Sequence, residues 1–497
     1  MSLKVVTARN SLIMGGVQFA MRPINFVIAI ILARLLDPSD FGLVALALVL
    51  VQTSNQFTAL GMDKAIIQSQ EERGKVAFHA FAAVMFFGAL FFALIQIYST
   101  TLAGWLGNAN TEPVLLWLSV LVLLNALAVV PQSLLRKDLS FHHIATSGLL
   151  AELLYTVVVL VMAYSGLGLW SLVFANLIKT AFNTAVYWLV CPGWDWIIPK
   201  RWEWPLLGRL LRYGSQASAS GLLSYFHTHW DDWMVGRVLG VEQLGFYAKS
   251  YDFSNSTIGQ MIRNTLGMVF LPSYVKIQEN RPRLMRAYLK SVRLVTLMIV
   301  PIALGIFVVA EPLVQVVFGD KWMPMVPALQ IFALLILTRP VSENTSPLFH
   351  AVGLPRNNLQ AGFVLLIVMV PGVLWFLNSG IAGVAVAVAG SHLVGALYNI
   401  YQVEQILPGS ARETAKITLP ILGIGLVMML GVQLAKFPVE EFWGTLFSVP
   451  ALLSLVATGA LLYLIGLVLT QRDIIVEMRQ TVIELLPKRL PLSKSRA

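Results

Sequence analysis

Charged residues and cysteine are scarce in this chain of 497 residues, and each shortage excludes a class of protein. Only 12% of the residues are charged, about half the fraction that is usual in a soluble globular domain. The single cysteine, Cys191, excludes an internal disulfide and a cysteine-based metal cluster. The sequence also lacks a nucleophile paired with a base and a phosphate-binding loop. It therefore predicts no enzymatic activity, no catalytic residues and no cofactor.

Long apolar runs dominate the sequence instead, and 57% of the residues are hydrophobic. A helix that crosses a bilayer needs about 20 apolar residues, and such runs recur from one end of the chain to the other. The first run follows Lys4 and Arg9 as in a signal peptide, but its length and its central Arg22 favour a retained helix. We predict an all-α polytopic membrane protein with about fourteen transmembrane helices, near residues 10–34, 41–62, 77–100, 113–135, 143–164, 168–190, 214–236, 243–270, 288–309, 324–347, 358–378, 381–403, 415–435 and 445–469.

The net charge of +10 could indicate a nucleic-acid partner, but the positions of the charges argue against one. With the N-terminus in the cytoplasm, 26 of the 35 Lys and Arg residues fall on the cytoplasmic side and four on the outer side. This asymmetry follows the positive-inside rule. We therefore predict cytoplasmic termini, a basic surface that meets anionic lipid, and no nucleic-acid partner.

A short segment occurs twice in the chain. In the first copy Arg34 ends an apolar helix and Gly42 follows eight residues later; Arg237 and Gly245 have the same spacing in the second copy. Each copy is predicted to form an outer hairpin between two membrane helices. Further short motifs recur at a similar offset, which supports an internal repeat.

The repeat predicts two six-helix lobes, residues 1–190 and 214–404, joined by a cytoplasmic linker, residues 191–213. Six helices return the chain to the same side of the membrane, so the lobes have a parallel orientation. Parallel repeats are a transporter design in which the substrate site lies between the repeats near the membrane centre. Two further helices are predicted in residues 405–470, and residues 471–497 have the spacing of an amphipathic helix at the inner surface.

The predicted linker is rich in tryptophan, which alternates with prolines and charged residues. Tryptophan is enriched at the headgroup layer of a membrane. An interfacial linker is therefore the simpler interpretation, and a surface on which sugars stack is the alternative. The residues concerned are Trp194, Trp196, Trp202 and Trp204.

Four ordered motifs give the sequence a family resemblance. They are Ala33-Arg-Leu-Leu-Asp-Pro-Ser-Asp-Phe-Gly42, Asp231-Asp-Trp-Met-Val-Gly-Arg-Val-Leu-Gly240, Phe270-Leu-Pro-Ser-Tyr274 with Arg286-Ala-Tyr-Leu289, and Gly319-Asp-Lys-Trp-Met-Pro324. With these motifs the chain resembles the polysaccharide-exporter branch of the lipid-linked oligosaccharide flippases. That branch belongs to the same superfamily, the MOP flippases, as the lipid II flippases and the multidrug antiporters. The resemblance covers essentially the whole chain.

Charged side chains within the predicted spans need a partner or a water-filled cavity. An ionised group at the bilayer centre costs about 2.5–3.5 kcal/mol on insertion scales. Residues three or four apart share a helix face, and mutual neutralisation is the simplest interpretation of the pairs at that spacing. These pairs are Lys249 with Asp252, Arg339 with Glu343, and His227 with Asp231.

Lys179 has no acid at helical spacing on its own span. Glu152, on the preceding span at a similar depth, is its expected partner.

The densest polar cluster within one span comprises His227, His229, Asp231 and Asp232. Neutralisation within this cluster is the simplest interpretation. Coupling of transport to a cation or proton at Asp231 and Asp232 is the alternative. A metal site is not predicted, because such sites usually show more ligands and a fixed motif.

Arg22 and Arg263 have no acid three or four residues away, and they lie on spans in opposite halves. A guanidinium in a wet cavity binds phosphate through two hydrogen bonds. We predict that Arg22, Arg263, Lys249 and Arg339 bind a pyrophosphate. A structural pair between helices, or hydrogen bonding to carbonyl groups, is the alternative for the two unpaired arginines.

The resemblance implies a flippase that moves a polyprenyl-pyrophosphate-linked oligosaccharide to the outer leaflet of the cytoplasmic membrane by alternating access. Such a protein serves surface polysaccharide biosynthesis, of lipopolysaccharide or exopolysaccharide, with the lipid bilayer and glycan-assembly proteins as partners. A cation-coupled multidrug antiporter of the same superfamily is the first alternative. A membrane glycan polymerase or ligase is the second, and the short outer loops disfavour it.

Overall fold

The computed structural model is helical throughout the residues that it describes, with no β-strand among them. Nine of its helical segments are long and apolar enough to cross a membrane. The all-helical membrane class is therefore confirmed, and the total of fourteen helices stays a prediction. The described residues are 24, 25, 27–198, 200–256, 270, 271 and 273–470. The predicted amphipathic helix in the C-terminal tail lies outside them.

The N-terminal half of the described chain consists of nine helices. They are α1 (residues 27–35), α2 (Pro38–Ala59), α3 (Met62–Gln68), α4 (Arg73–Ile97), α5 (Ser99–Leu106), α6 (Thr111–Leu118), α7 (Val120–Lys137), α8 (Phe141–Tyr164) and α9 (Leu169–Val190).

The C-terminal half of the described chain includes nine further helices and a short helical stretch at residues 273–277. The nine helices are α10 (Trp204–Val238), α11 (Val241–Tyr251), α12 (Arg281–Val317), α13 (Val326–Leu335), α14 (Arg339–Ala351), α15 (Arg356–Phe376), α16 (Gly380–Ile406), α17 (Ser410–Trp443) and α18 (Val449–Thr470). A π-helical turn, Asp252–Ser256, follows α11, and a 3₁₀ helix, Asp320–Met325, precedes α13.

Two segments predicted to be loops are partly helical. Residues 99–106, within and just before the predicted outer loop, form α5, and residues 204–213 of the predicted linker form the start of α10. Pro205 lies in the first turn of α10, where its missing N–H and fixed φ suit a helix start. The connecting segment between the halves is therefore residues 191–203.

That connecting segment is fixed to the N-terminal half. Trp196 is buried, and its ring lies 5.4 Å from that of Trp188, whereas Trp194 and Trp204 are exposed. The Lys75 ammonium lies 3.0 Å from the Glu203 carboxylate, and this hydrogen-bonded pair lowers the pKa of Glu203. This arrangement fits an interfacial segment with one tryptophan anchored in the protein.

The largest cluster of buried apolar side chains is shared by the two halves. It joins Leu46 and Leu115 of the N-terminal half to Tyr247, Phe332 and Val384 of the C-terminal half. A core that crosses the division in this way places the two halves against each other, with the site described below at their boundary.

Candidate functional site

The two predicted hairpins pack directly against each other. A Cβ atom at Gly42 of α2 would overlap the carbonyl oxygen of Val241, and one at Gly245 of α11 would overlap that of Pro38. Each glycine is thus four residues into its helix and touches the first residue of the other helix. The missing side chains allow the two backbones to meet, as small residues do between membrane helices. We call this part of the bundle, residues 34–42 and 237–245, the hairpin end.

The two arginines of the repeat each bind a helix end in the opposite half. Arg34 donates from Nε to the carbonyl oxygen of Val317, at 3.0 Å, and from Nη2 to that of Val316, at the end of α12. Arg237 donates from Nη1 to the carbonyl oxygen of Trp105, near the end of α5. The last carbonyl groups of a helix have no partner within it, so both arginines satisfy orphan acceptors across the boundary.

Lys321 and Trp322, in the C-terminal half, likewise donate hydrogen bonds to carbonyl groups of the N-terminal half. The Lys321 ammonium donates to the carbonyl oxygens of Leu36 and, at 3.3 Å, Arg34. Trp322 donates from Nε1 to the carbonyl oxygen of Ala33 at 2.7 Å, and its side chain is fully buried. Two of the four sequence motifs, residues 33–42 and 319–324, are therefore bonded to each other across the halves.

A tryptophan pair completes the contact at the hairpin end. The rings of Trp105, in α5, and Trp233, in α10, stack with their centroids 4.5 Å apart. The Arg237 guanidinium lies within 6 Å of both rings, at 5.9 and 5.8 Å, a distance at which a cation is attracted by the ring face. Together these contacts close the hairpin end.

A cavity of about 390 Å³ lies between the halves, below this closed end. Helices α1, α2, α8 and α9 line it on one side, and α11 lines it on the other. Its apolar wall includes Phe41 and Leu48. Its polar lining consists of Asn25, Glu152, Asn176, Lys249 and Asp252.

Lys249 is the cation that this cavity presents. Its ammonium lies 4.2 Å from the centroid of the Phe41 ring, on the opposite half. Within the described residues it makes no direct ion pair, so the predicted neutralisation by Asp252 acts only through space, between two opposite charges on one cavity wall. Although Asp252 lines the same cavity, the lysine extends over the aromatic ring instead.

Two other predicted pairs are present in the structure. Lys179 and Glu152 form an ion pair at 2.5 Å, as predicted. Arg339 and Glu343 also pair, at 2.6 Å, with each side chain only 11% exposed. Arg339 therefore neutralises the Glu343 carboxylate. It is not among the residues that line the cavity of Lys249.

The predicted pairing of His227 with Asp231 is wrong. Asp231 is 3% exposed, and its Oδ2 accepts a hydrogen bond of 2.5 Å from the Tyr247 hydroxyl. His229 takes the neighbouring carboxylate, with its Nδ1 2.9 Å from Oδ2 of Asp232. Successive helix positions point about 100° apart, so the two aspartates face different partners. Among the described residues, no group of three or more His, Cys, Asp or Glu side chains could hold a metal ion.

The two arginines predicted to bind pyrophosphate, Arg22 and Arg263, lie outside the described residues. Their role stays a prediction.

A family model described as polysaccharide biosynthesis protein matches residues 31–327. The chain belongs to this family. The matched region contains both hairpin copies and the Gly319–Pro324 motif.

Curated relatives agree with this assignment. The chain is 24% identical over 314 residues to the succinoglycan biosynthesis transport protein ExoT of Rhizobium meliloti (strain 1021), which is 63% of this chain and 62% of that protein. It is 25% identical over 339 residues to the lipopolysaccharide biosynthesis protein WzxC of Escherichia coli (strain K12), 65% of each chain. The chain thus spans slightly less than two thirds of these two relatives.

Solved structures show the same fold. The lipid II flippase MurJ in an inward closed conformation gives a TM-score of 0.70 at 15% identity, over 93% of this chain and 100% of that one. A multidrug resistance transporter of the MATE family, facing inward, gives 0.62 at 17% identity, over 80% and 100%. These likenesses show the fold, and the apolar helices of the described residues make the chain a multi-pass membrane protein.

The sequence does not predict a second cavity that the structure contains. It has a volume of about 420 Å³ and adjoins the first, because Leu48 and Asn176 line both. Its polar residues mostly carry uncharged amide and hydroxyl groups. Such residues do not stand out in a membrane span as charged residues do. Their helical spacing, as in Gln52 and Asn55, is the signal that could have identified them.

Proposed function

We propose that the transporter is a flippase for a polyprenyl-diphosphate-linked oligosaccharide and moves it from the inner to the outer leaflet of the cytoplasmic membrane. The family assignment supports a role in surface polysaccharide biosynthesis, and lipopolysaccharide and exopolysaccharide are the candidate products. The observation that carries the proposal is the ammonium of Lys249 in a cavity between the halves. A cation that lines this cavity attracts a diphosphate headgroup that hydrocarbon would exclude.

The proposed mechanism is alternating access between two lobes, residues 1–190 and 214–404. The hairpin end faces outward, and both termini are cytoplasmic. The cavity opens outward when the bonds of Arg34, Arg237 and Lys321 to opposing carbonyl groups break. Because those carbonyl groups lie at helix ends, water can replace the lost donors at modest cost.

The membrane potential can supply the driving force. With the inside negative, outward movement of an anion is favoured by roughly 2.3 kcal/mol per charge per 100 mV. A diphosphate therefore needs no coupled ion for net export.

An apolar groove offers a place for the lipid tail. It has a volume of about 430 Å³ and lies between α12, α17 and α18. Pro301, Ile306, Met428 and Leu455 are among its lining residues. The two helices added after the second lobe would thus hold the tail at the membrane while the headgroup occupies the cavity.

Replacing Lys249 with glutamine should lower transport by about ten- to a hundredfold. The change removes a charged hydrogen-bond donor, which is worth about 1.5–3 kcal/mol. The measurement is the flipping rate of polyprenyl diphosphate linked to N-acetylglucosamine in reconstituted vesicles.

Lys436→Gln, on α17 and outside the cavity lining, is the matched control and should keep the wild-type rate. An unchanged rate in Lys249→Gln would contradict the proposal. Export of a cationic dye instead of the lipid would favour the multidrug antiporter.

Coupling of transport to an ion gradient is a second candidate function, and one observation at Asp231 favours it. The buried Oδ1 of Asp231 has no hydrogen-bond partner among the described residues, although its Oδ2 is bonded to Tyr247. If this carboxylate, or its neighbour Asp232, binds the coupling ion, Asp231→Asn or Asp232→Asn should abolish the dependence of transport on a proton or sodium gradient. Asp195→Asn, in the connecting segment, should not. A gradient dependence that survives in both variants would exclude this coupling site.

A further inference from the structure

The second cavity has the dimensions of a ligand site. Its volume of about 420 Å³ falls within the range of about 300–1,000 Å³ that is typical of small-molecule pockets. Three helices of the N-terminal half, α2, α7 and α9, form its walls. Its polar lining comprises Gln52, Asn55, Thr58, Asn125, Asn176, Lys179 and Thr180.

One amide of this lining has unused hydrogen-bonding capacity. The Asn125 amide makes no hydrogen bond to another described residue. Because Asn125 lines the cavity, a ligand that offers its amide a donor and an acceptor gains hydrogen bonds worth about 0.5–1.5 kcal/mol each.

The charge of the cavity selects against an ionic ligand. Lys179 is its charged lining residue, and that ammonium is already bound to Glu152 at 2.5 Å and lies 5.2 Å from the centroid of the Tyr155 ring. The other polar residues of the lining carry amide and hydroxyl groups. Amides both donate and accept hydrogen bonds, as the hydroxyl groups of a sugar do. A neutral polyhydroxylated ring matches this lining better than a phosphate does.

The position of the cavity relates it to Lys249. Leu48 and Asn176 line both cavities, so a headgroup whose diphosphate lies beside Lys249 can place its sugar in the second cavity. We propose that this cavity is the glycan subsite of the transporter, where amide side chains of α2, α7 and α9 bind the sugar that adjoins the diphosphate and discriminate between glycans. This inference rests on the function proposed above.

The test compares two lipids that differ only in the sugar. Binding of polyprenyl diphosphate, with and without a linked N-acetylglucosamine, is measured by native mass spectrometry on the full-length transporter. Asn125→Leu and Gln52→Leu should each weaken binding of the sugar-bearing lipid by about five- to tenfold, which corresponds to one neutral hydrogen bond. Binding of the sugar-free lipid should stay at the wild-type level.

Gln132→Leu is the matched control for loss of a half-buried amide on α7. Gln132 donates to the Tyr187 hydroxyl at 3.2 Å and does not line the cavity. It should leave the ratio between the two lipids unchanged, and the melting temperature of every variant verifies its folding.

The outcomes separate the two proposals. If the wild type binds neither lipid, the proposed function is wrong. If it binds both lipids and the amide variants weaken both equally, or neither, the glycan subsite is wrong while the diphosphate site stands. If the wild type binds the two lipids equally tightly, the cavity contributes nothing to glycan recognition and the inference is likewise overturned.

Discussion

Replacing Gly42 with alanine should reduce transport at least about tenfold and open the hairpin end. The new methyl group would overlap the carbonyl oxygen of Val241, a backbone atom that cannot rotate away. Overpacking of this kind costs about 1–3 kcal/mol, and 1.4 kcal/mol shifts a two-state equilibrium tenfold. Flipping in vesicles measures the rate. Spin labels at Ala109 and Glu242, on opposite halves near the hairpin end, measure the separation.

Gly148→Ala is the control for this substitution. Gly148 lies in α8 with open space around it, and alanine in a helix is normally more stable than glycine by about 1 kcal/mol. Transport in this variant should match the wild type. A Gly42→Ala variant with normal transport and an unchanged label distance would show that the closed hairpin end plays no part in the cycle.

Replacing Trp322 with alanine should destabilise the protein by about 3–5 kcal/mol. The fully buried indole contacts the rings of Phe41 and Phe246 and donates to the carbonyl oxygen of Ala33. Loss of a buried tryptophan leaves a cavity in addition to the lost contacts. The free energy of unfolding in mixed detergent micelles with increasing dodecyl sulfate measures the effect.

Trp322→Phe removes the hydrogen bond but keeps an aromatic ring. It should lower the free energy of unfolding by less than Trp322→Ala does, because most of the packing remains. Trp375 is 81% exposed, so Trp375→Ala should change the free energy of unfolding little. Equal losses in Trp322→Ala and Trp375→Ala would refute the anchoring role of Trp322.

The sequence determined the long helices well because length and uniform hydrophobicity suffice for them. Predicted spans at 143–164 and 168–190 correspond to α8 (Phe141–Tyr164) and α9 (Leu169–Val190). The sequence predicts a loop over most of helix α5 (Ser99–Leu106), since eight residues at the end of a bundle produce no such signal. Short helices of this kind are specified by their tertiary contacts.

Charge pairs can be predicted from the sequence where the depth of each residue in the membrane decides its partner. Lys179 and Glu152 lie at similar depths on adjacent spans, and they meet. Helical spacing alone pairs Asp231 with His227, because it takes no account of other helices. In the structure the Tyr247 hydroxyl on α11 binds Asp231 instead. Spacing within one helix identifies possible neighbours, but packing between helices selects among them.

The motifs themselves were recognisable, whereas their contact was not. Residues 33–42 and 319–324 are separated by more than half of the chain, and nothing in either segment names the other. The amide-lined cavity was missed for a related reason, since Gln52 and Asn125 become neighbours only when α2 and α7 pack together.

Most of the bonds that hold the hairpin end together run from a side chain to a main-chain oxygen. The acceptor oxygens at Ala33, Leu36, Trp105, Val316 and Val317 exist whatever side chain those positions carry. Evolutionary constraint should therefore be strict for Arg34, Arg237, Lys321 and Trp322 and loose for residues that contribute only a carbonyl oxygen, such as Val316 and Val317. Hydrogen bonds of this kind can persist between distant homologues while the side chains of the acceptor residues diverge.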